Sequence, residues 1–74
     1  MRGITNTKLF IFNVRRVMKE KGLKQLAVAE KANLTPNIFS NMLNERKIIT
    51  VEHIPYIADA LDVNVSELFK KGGE

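Results

Sequence analysis

The chain has 74 residues, no cysteine, one histidine and a formal net charge of +4 at pH 7. A chain of this length forms one small domain that buries only about 60% of its unfolded surface, which leaves little room for a deep substrate pocket. Without cysteine there is no disulfide framework or thiolate metal site, and one histidine cannot form a cluster, so we expect no enzyme, metal, cofactor or small-molecule ligand.

The first predicted helix covers about residues 8–20, with Asn6 or Thr7 as its cap and Gly22 after its end. Its inward face is expected to carry Ile11, Val14, Val17 and Met18. The apolar stretch 9–12 is too short for the core of a signal peptide or for a membrane span. We therefore expect a cytoplasmic protein that does not associate with a membrane.

Two short helical patterns follow, over residues 23–32 and 35–43. Their apolar residues share one core face and are Val28, Ala29, Ala32, Phe39 and Met42. A small residue at Ala29 allows two helices to cross at close range. The segment 25–44 is therefore typical of a helix-turn-helix, a motif that binds DNA.

The turn between these two helices has residues suited to ending one helix and starting the next. Asn33 follows the first helix, where a residue in the left-handed conformation is commonly needed. Thr35 is expected to cap the second helix, and Pro36 occupies its first position, where the missing N–H costs little.

A fourth helix is predicted after the loop 44–49, with Thr50 as its cap. Its apolar face would carry Val51, Ile54, Ile57, Ala58 and Leu61. Pro55 falls near the fifth position, where it removes a hydrogen bond, so a late or bent start is expected.

A short fifth helix is predicted after Asn64, with Glu67 three residues later in a capping-box pattern. We expect residues 1–74 to form a single helix-turn-helix domain with an ordered core of about 6–69 and flexible termini.

The sequence resembles the λ-repressor-like (Cro-type) helix-turn-helix domains over about residues 8–69. The resemblance includes the helix start at 21–25, the Asn-Glu-Arg-Lys loop at 44–47 and the closing segment 58–69, which ends in Leu-Phe. It implies an all-α, compact five-helix fold and binding to double-stranded DNA.

Some residues depart from the family pattern. Asn33 and Asp62 replace glycine, and both side chains tolerate positive φ. Glu45 places a carboxylate in a loop expected to face phosphate, which would weaken binding or turn that side chain away. Leu43 and Met18 occupy the places of an ion pair, which packed apolar residues can replace.

The resemblance also implies which residues contact DNA. Those expected to contact bases are Pro36, Asn37, Ser40 and Asn41. Those expected to contact the DNA backbone are Lys24, Gln25, Thr35, Asn44, Arg46 and Lys47. Asn37 and Asn41 are four residues apart and share a face, and asparagine can bind adenine through two hydrogen bonds. Alternatively these side chains form an ordinary solvated helix face, and Ile38 is either a groove contact or part of the core.

The charge distribution agrees with this interpretation. Residues 1–50 hold ten basic and three acidic side chains, whereas residues 51–74 hold two basic and five acidic ones. The basic half is thus the half that contains the helix-turn-helix. His53 is interpreted as a lone surface histidine.

Two functions remain open. The first is a homodimeric, sequence-specific transcriptional repressor that binds an inverted-repeat operator, with a dimer surface around Val65 and Phe69 or around Ile48 and Ile49. The second is a protein interaction module on the same fold, with weak or no DNA binding.

Overall fold

The computed structural model describes residues 6–71, which form four α-helices and one 3-10 helix. The helices are α1 (Thr7–Lys21), α2 (Gln25–Lys31), α3 (Pro36–Leu43), α4 (His53–Leu61) and the 3-10 helix Val65–Phe69. No strand occurs within this range. The all-α class is confirmed, and the predicted fifth helix is a 3-10 helix rather than an α-helix. Residues 1–5 and 72–74 of the predicted flexible termini lie outside the described range.

The core is a single apolar cluster to which every helix contributes. α2 packs against α3 and α4, and α1 packs against the 3-10 helix and α4. The fully buried side chains of largest volume include Phe10, Phe39, Met42, Ile49, Ile57, Leu61 and Leu68. Met18 and Leu43 are buried in the same cluster, which agrees with the expectation that apolar packing takes the place of the ion pair that the resemblance implies.

The predicted turn conformations at Asn33 and Asp62 are confirmed. Asn33 has φ 61° and Asp62 has φ 59°, both in the left-handed region. Lys21 strengthens the second of these turns, because its ammonium donates hydrogen bonds to the carbonyls of Leu61 (2.9 Å) and Asp62 (3.0 Å). A cation at the last carbonyls of α4 also interacts favourably with the helix dipole.

The start of α4 is late, as Pro55 predicted, but Thr50 is not its cap. α4 begins at His53, which puts Pro55 at the third helical position, where its missing N–H breaks no intrahelical bond. The Thr50 N–H instead donates to Nδ1 of His53 at 3.1 Å, and the His53 N–H donates back to the Thr50 carbonyl at 3.0 Å. His53 is therefore the half-buried first residue of α4 and is bonded to Thr50, so its interpretation as a lone surface histidine was wrong.

The capping box predicted for the last helix does not form. The Asn64 side chain makes no capping hydrogen bond there. The Glu67 carboxylate turns to α1, where it accepts from the Arg16 guanidinium at 3.3 Å. Arg16 also donates to Glu20 at 3.0 Å. These hydrogen bonds, first to Glu20 and then to Glu67, raise the pKa of Arg16 above its usual value.

Asn13 fixes the C-terminal segment to α1. Its side chain is buried, and Nδ2 donates to the carbonyls of Leu68 at 3.0 Å and Lys70 at 2.8 Å. Its Oδ1 accepts from Nε of Arg16 at 3.2 Å. Within residues 6–71 every buried side-chain nitrogen and oxygen has a hydrogen-bond partner.

Candidate nucleic-acid interface

The N-terminus of α3 is built as the sequence predicted. Thr35 has an extended backbone, and its hydroxyl accepts the Ile38 N–H at 3.1 Å, while Pro36 occupies the first helical position. Ile38 is half-buried and packs against the core, so part of its side chain belongs to the core and the rest stays accessible. The outer face of α3 is therefore polar.

The predicted base-contacting residues lie on this outer face. Pro36 and Asn37 are exposed, and Ser40 and Asn41 are half-buried. The side-chain amides of Asn37 and Asn41 make no hydrogen bond to any residue in the described part of the chain. Each amide thus offers one acceptor and two donor hydrogens to an outside partner.

Asn44 ends α3, and its side chain is occupied within the fold. Its Nδ2 donates to the Ser40 carbonyl at 3.0 Å, and its Oδ1 lies 3.5 Å from Nη2 of Arg15. The same Arg15 nitrogen donates to the Leu43 carbonyl at 3.1 Å. Asn44 and Arg15 together satisfy carbonyls at the C-terminus of α3, where a cation is favoured by the dipole.

The loop after α3 is folded back beneath that helix. The N–H groups of Arg46 (2.8 Å) and Lys47 (3.2 Å) both donate to the Asn41 carbonyl. The Arg46 and Lys47 side chains are exposed and form no ion pair with another residue of the described range. Two free cations therefore lie directly beyond the end of α3.

Glu45 interrupts this basic loop, and its side chain turns toward α1. Its φ is 60°, in the region that favours glycine. Its Oε1 lies 3.5 Å from Nζ of Lys8, with 49% of the Glu45 and 86% of the Lys8 side chain exposed. The Glu45 carboxylate therefore lies beside Lys8 of α1, at the edge of the basic loop.

On the other side of the motif, α2 begins at Gln25 with Lys24 as its cap residue. Both side chains are exposed, and Lys24 makes no capping hydrogen bond. The predicted backbone-contacting residues thus fall in two groups, Lys24 and Gln25 at the start of α2, and Asn44, Arg46 and Lys47 after α3. Thr35 is the exception, because its hydroxyl caps α3.

Sequence analysis did not predict that Lys8 and Arg15 take part in this region. They lie seven residues apart on α1 and so share one face, and both reach the segment 43–45. Their spacing predicts that they lie on the same face of α1. The local sequence does not indicate that this face packs beside the end of α3.

Comparison with protein families identifies this architecture. The family model of the Cro/C1-type helix-turn-helix DNA-binding domain matches residues 13–71. The chain belongs to this family. It is accordingly a DNA-binding protein of the class that regulates transcription, and the resemblance to Cro-type domains is confirmed. No curated protein matches the sequence.

Solved structures share the fold of this Cro/C1-type domain at low sequence identity. The clp gene regulator ClgR from C. glutamicum has a TM-score of 0.76 at 21% identity, over 84% of this chain and 80% of that chain. The restriction-modification controller protein C.AhdI from Aeromonas hydrophila has a TM-score of 0.77 at 24% identity, over 89% of this chain and 100% of that chain. The wild-type restriction-modification controller protein C.Esp1396I has a TM-score of 0.79 at 23% identity, over 89% of this chain and 87% of that chain.

The described part of the Cro/C1-type domain was also compared with the requirements of a metal site and of a membrane span. Residues 6–71 contain no group of three or more metal-ligating side chains placed to hold an ion. None of their helices is both long enough and apolar enough to cross a bilayer.

Proposed function

We propose that this chain is a sequence-specific transcriptional repressor in the cytoplasm that reads the major groove of double-stranded DNA with α3. It acts by binding and has no enzymatic activity. The observation that carries the proposal is the outer face of α3, where Asn37 and Asn41 have unpaired amides on a helix whose start is capped and whose end is held by Arg15. Rigid support of this kind suits a helix that reads base edges.

The residues on either side of the helix-turn-helix support an orientation in which α3 faces the major groove. Arg46 and Lys47 flank one end of the motif, and Lys24 and Gln25 flank the other, so both groups would contact phosphates. Phosphate contacts position the protein, and base contacts from Pro36, Asn37, Ser40 and Asn41 specify the sequence. That the structural neighbours include restriction-modification controller proteins and a clp gene regulator agrees with a regulatory role.

We further propose that the repressor binds as a homodimer to an inverted repeat, since one short α3 makes few base contacts. Exposed apolar side chains that suit a dimer surface are Ile48 (63%), Val51 (64%) and Tyr56 (58%). Of the earlier candidates, Val65 is also exposed, whereas Ile49 is buried and Phe69 packs on Phe10 with ring centroids 5.4 Å apart. Ile49 therefore drops out of the proposed dimer surface, whereas Phe69 is half-buried and remains a less accessible candidate.

Selection of bound duplexes from a random DNA library at about 0.15 M salt tests the proposal. The expected result is an enriched inverted repeat with adenines in each half-site. Weak, strongly salt-dependent binding without enrichment would instead favour the protein interaction module, to which the exposed Leu26 on α2 would then be relevant.

Replacement of Asn41 with alanine is expected to relax specificity at one base pair of each half-site. A bidentate contact to adenine discriminates by about 1 to 3 kcal/mol, or roughly 5- to 150-fold in affinity. Competition binding with operators changed at single positions measures this. Asn64→Ala, at an exposed asparagine without a capping hydrogen bond, is the matched control. An unchanged preference in Asn41→Ala would refute the assignment of Asn41.

Replacement of Arg46 with alanine is expected to weaken binding to every sequence alike. The plot of log affinity against log salt should become shallower by about 0.9, the value for one phosphate contact. Titrations between about 0.05 and 0.2 M salt measure the slope. Lys71→Ala removes the same charge at an exposed residue far from the motif in sequence and should leave the slope unchanged.

A further inference from the structure

We propose that the Glu45 carboxylate occupies a phosphate site at Lys8 and so limits the affinity of this chain for DNA. Lys8 would be a further backbone-contacting residue that is masked in the free protein. This inference rests on the proposed DNA-binding function, and it concerns how strongly the interface binds rather than which sequence it reads.

The backbone at Glu45 is the first observation. Its φ of 60° is uncommon for a residue with a side chain, and glycine would adopt it without strain. The conformation is fixed by the fold, because the Glu45 N–H donates to the Met42 carbonyl at 3.1 Å and the Arg46 N–H donates to the Asn41 carbonyl. Strain at a surface loop points to a use for the side chain.

The ion pair with Lys8 is the second observation. The pair is open to solvent, with 86% of the Lys8 and 49% of the Glu45 side chain exposed. Pairs this exposed contribute little to stability. Its main physical effect is therefore on an approaching ligand, since the carboxylate both neutralises the Lys8 ammonium and repels anions.

The position of the pair is the third observation. Glu45 is the only acidic residue in the loop 44–49, and it lies directly before the unpaired cations Arg46 and Lys47. A DNA strand that contacts these two cations brings phosphates to the same loop. A phosphate that reaches Lys8 meets the Glu45 carboxylate beside it, so the two anions repel each other and compete for the same ammonium.

The test is a set of salt titrations on the selected operator and on an unrelated duplex. Glu45→Gln removes the charge but keeps the length of the side chain and the left-handed backbone. We expect its affinity for both duplexes to rise roughly three- to tenfold at about 0.1 M salt, and its salt slope to steepen by up to about 0.9. Lys8→Gln in the same background should return the slope to that of the wild type.

Asp59→Asn is the matched control, because it makes the same change in net charge at an exposed residue of α4. It should leave the salt slope unchanged. An equal gain in Asp59→Asn would show a general effect of net charge and overturn the inference. A steeper slope in Glu45→Gln that Lys8→Gln does not reverse would overturn the role of Lys8.

The outcomes separate this inference from the function beneath it. If the wild type binds an operator and Glu45→Gln binds it with the same affinity and slope, the inference fails and the function stands. If neither protein binds DNA at any salt concentration, both fail. If only Glu45→Gln binds measurably, Glu45 limits affinity more strongly than expected and the inference is supported.

Discussion

Replacement of Phe39 with alanine is expected to remove a large part of the stability of the domain and to lower its urea midpoint strongly. Phe39 lies on the inner face of α3 with no exposed surface. Truncation of a buried phenylalanine costs about 3 to 5 kcal/mol, because transfer energy is lost and a cavity remains. A domain of this size is stable by only about 4 to 11 kcal/mol, so the loss is a large part of the total.

The exposed Phe12 provides a matched control for Phe39. It lies on α1 with 54% of its surface exposed, and Phe12→Ala should change stability by no more than about 0.5 kcal/mol. Urea unfolding followed by circular dichroism gives the midpoint of each variant. Equal midpoints for the two variants would contradict the burial of Phe39 in the core.

Local features of the fold could be predicted from the sequence because their causes are local. The left-handed turns at Asn33 and Asp62, the Thr35 cap and the late start of α4 before Pro55 each depend on a few neighbouring residues. Helix periodicity likewise located α1 to α4. The Thr50 cap failed because α4 begins only at His53, whose ring turns back to Thr50. The Asn64 capping box failed because the Glu67 carboxylate pairs with Arg16 of α1.

Contacts between distant residues could not be predicted in this way. Lys8 meets Glu45 and Arg15 meets the end of α3 only because α1 packs beside that loop. The polar outer face of α3 could be predicted, since helix spacing fixes which of its side chains share a face. Its electrostatic surroundings could not, because they depend on which charges on other helices are neutralised.

Asn13 is the clearest such case, and its replacement with alanine is expected to loosen the C-terminal segment. The two carbonyls that it binds lie 55 and 57 residues away in sequence. Loss of the amide leaves the Leu68 carbonyl buried without its donor, and it frees the Lys70 carbonyl to water. An unsatisfied buried acceptor costs about 1 to 3 kcal/mol, so a total near 2 to 3 kcal/mol is expected.

The loss should be local as well as global, which distinguishes Asn13 from an ordinary core residue. The 3-10 helix is held to α1 by Asn13, by the Arg16–Glu67 ion pair and by the contact of Phe10 with Phe69. In Asn13→Ala, hydrogen exchange should accelerate first in the 3-10 helix, while α2 and α3 keep their protection. Asn64→Ala should leave both stability and exchange unchanged. Uniform acceleration throughout the domain would show that the segment does not open separately from the helix-turn-helix, and that Asn13 stabilises a single cooperative unit.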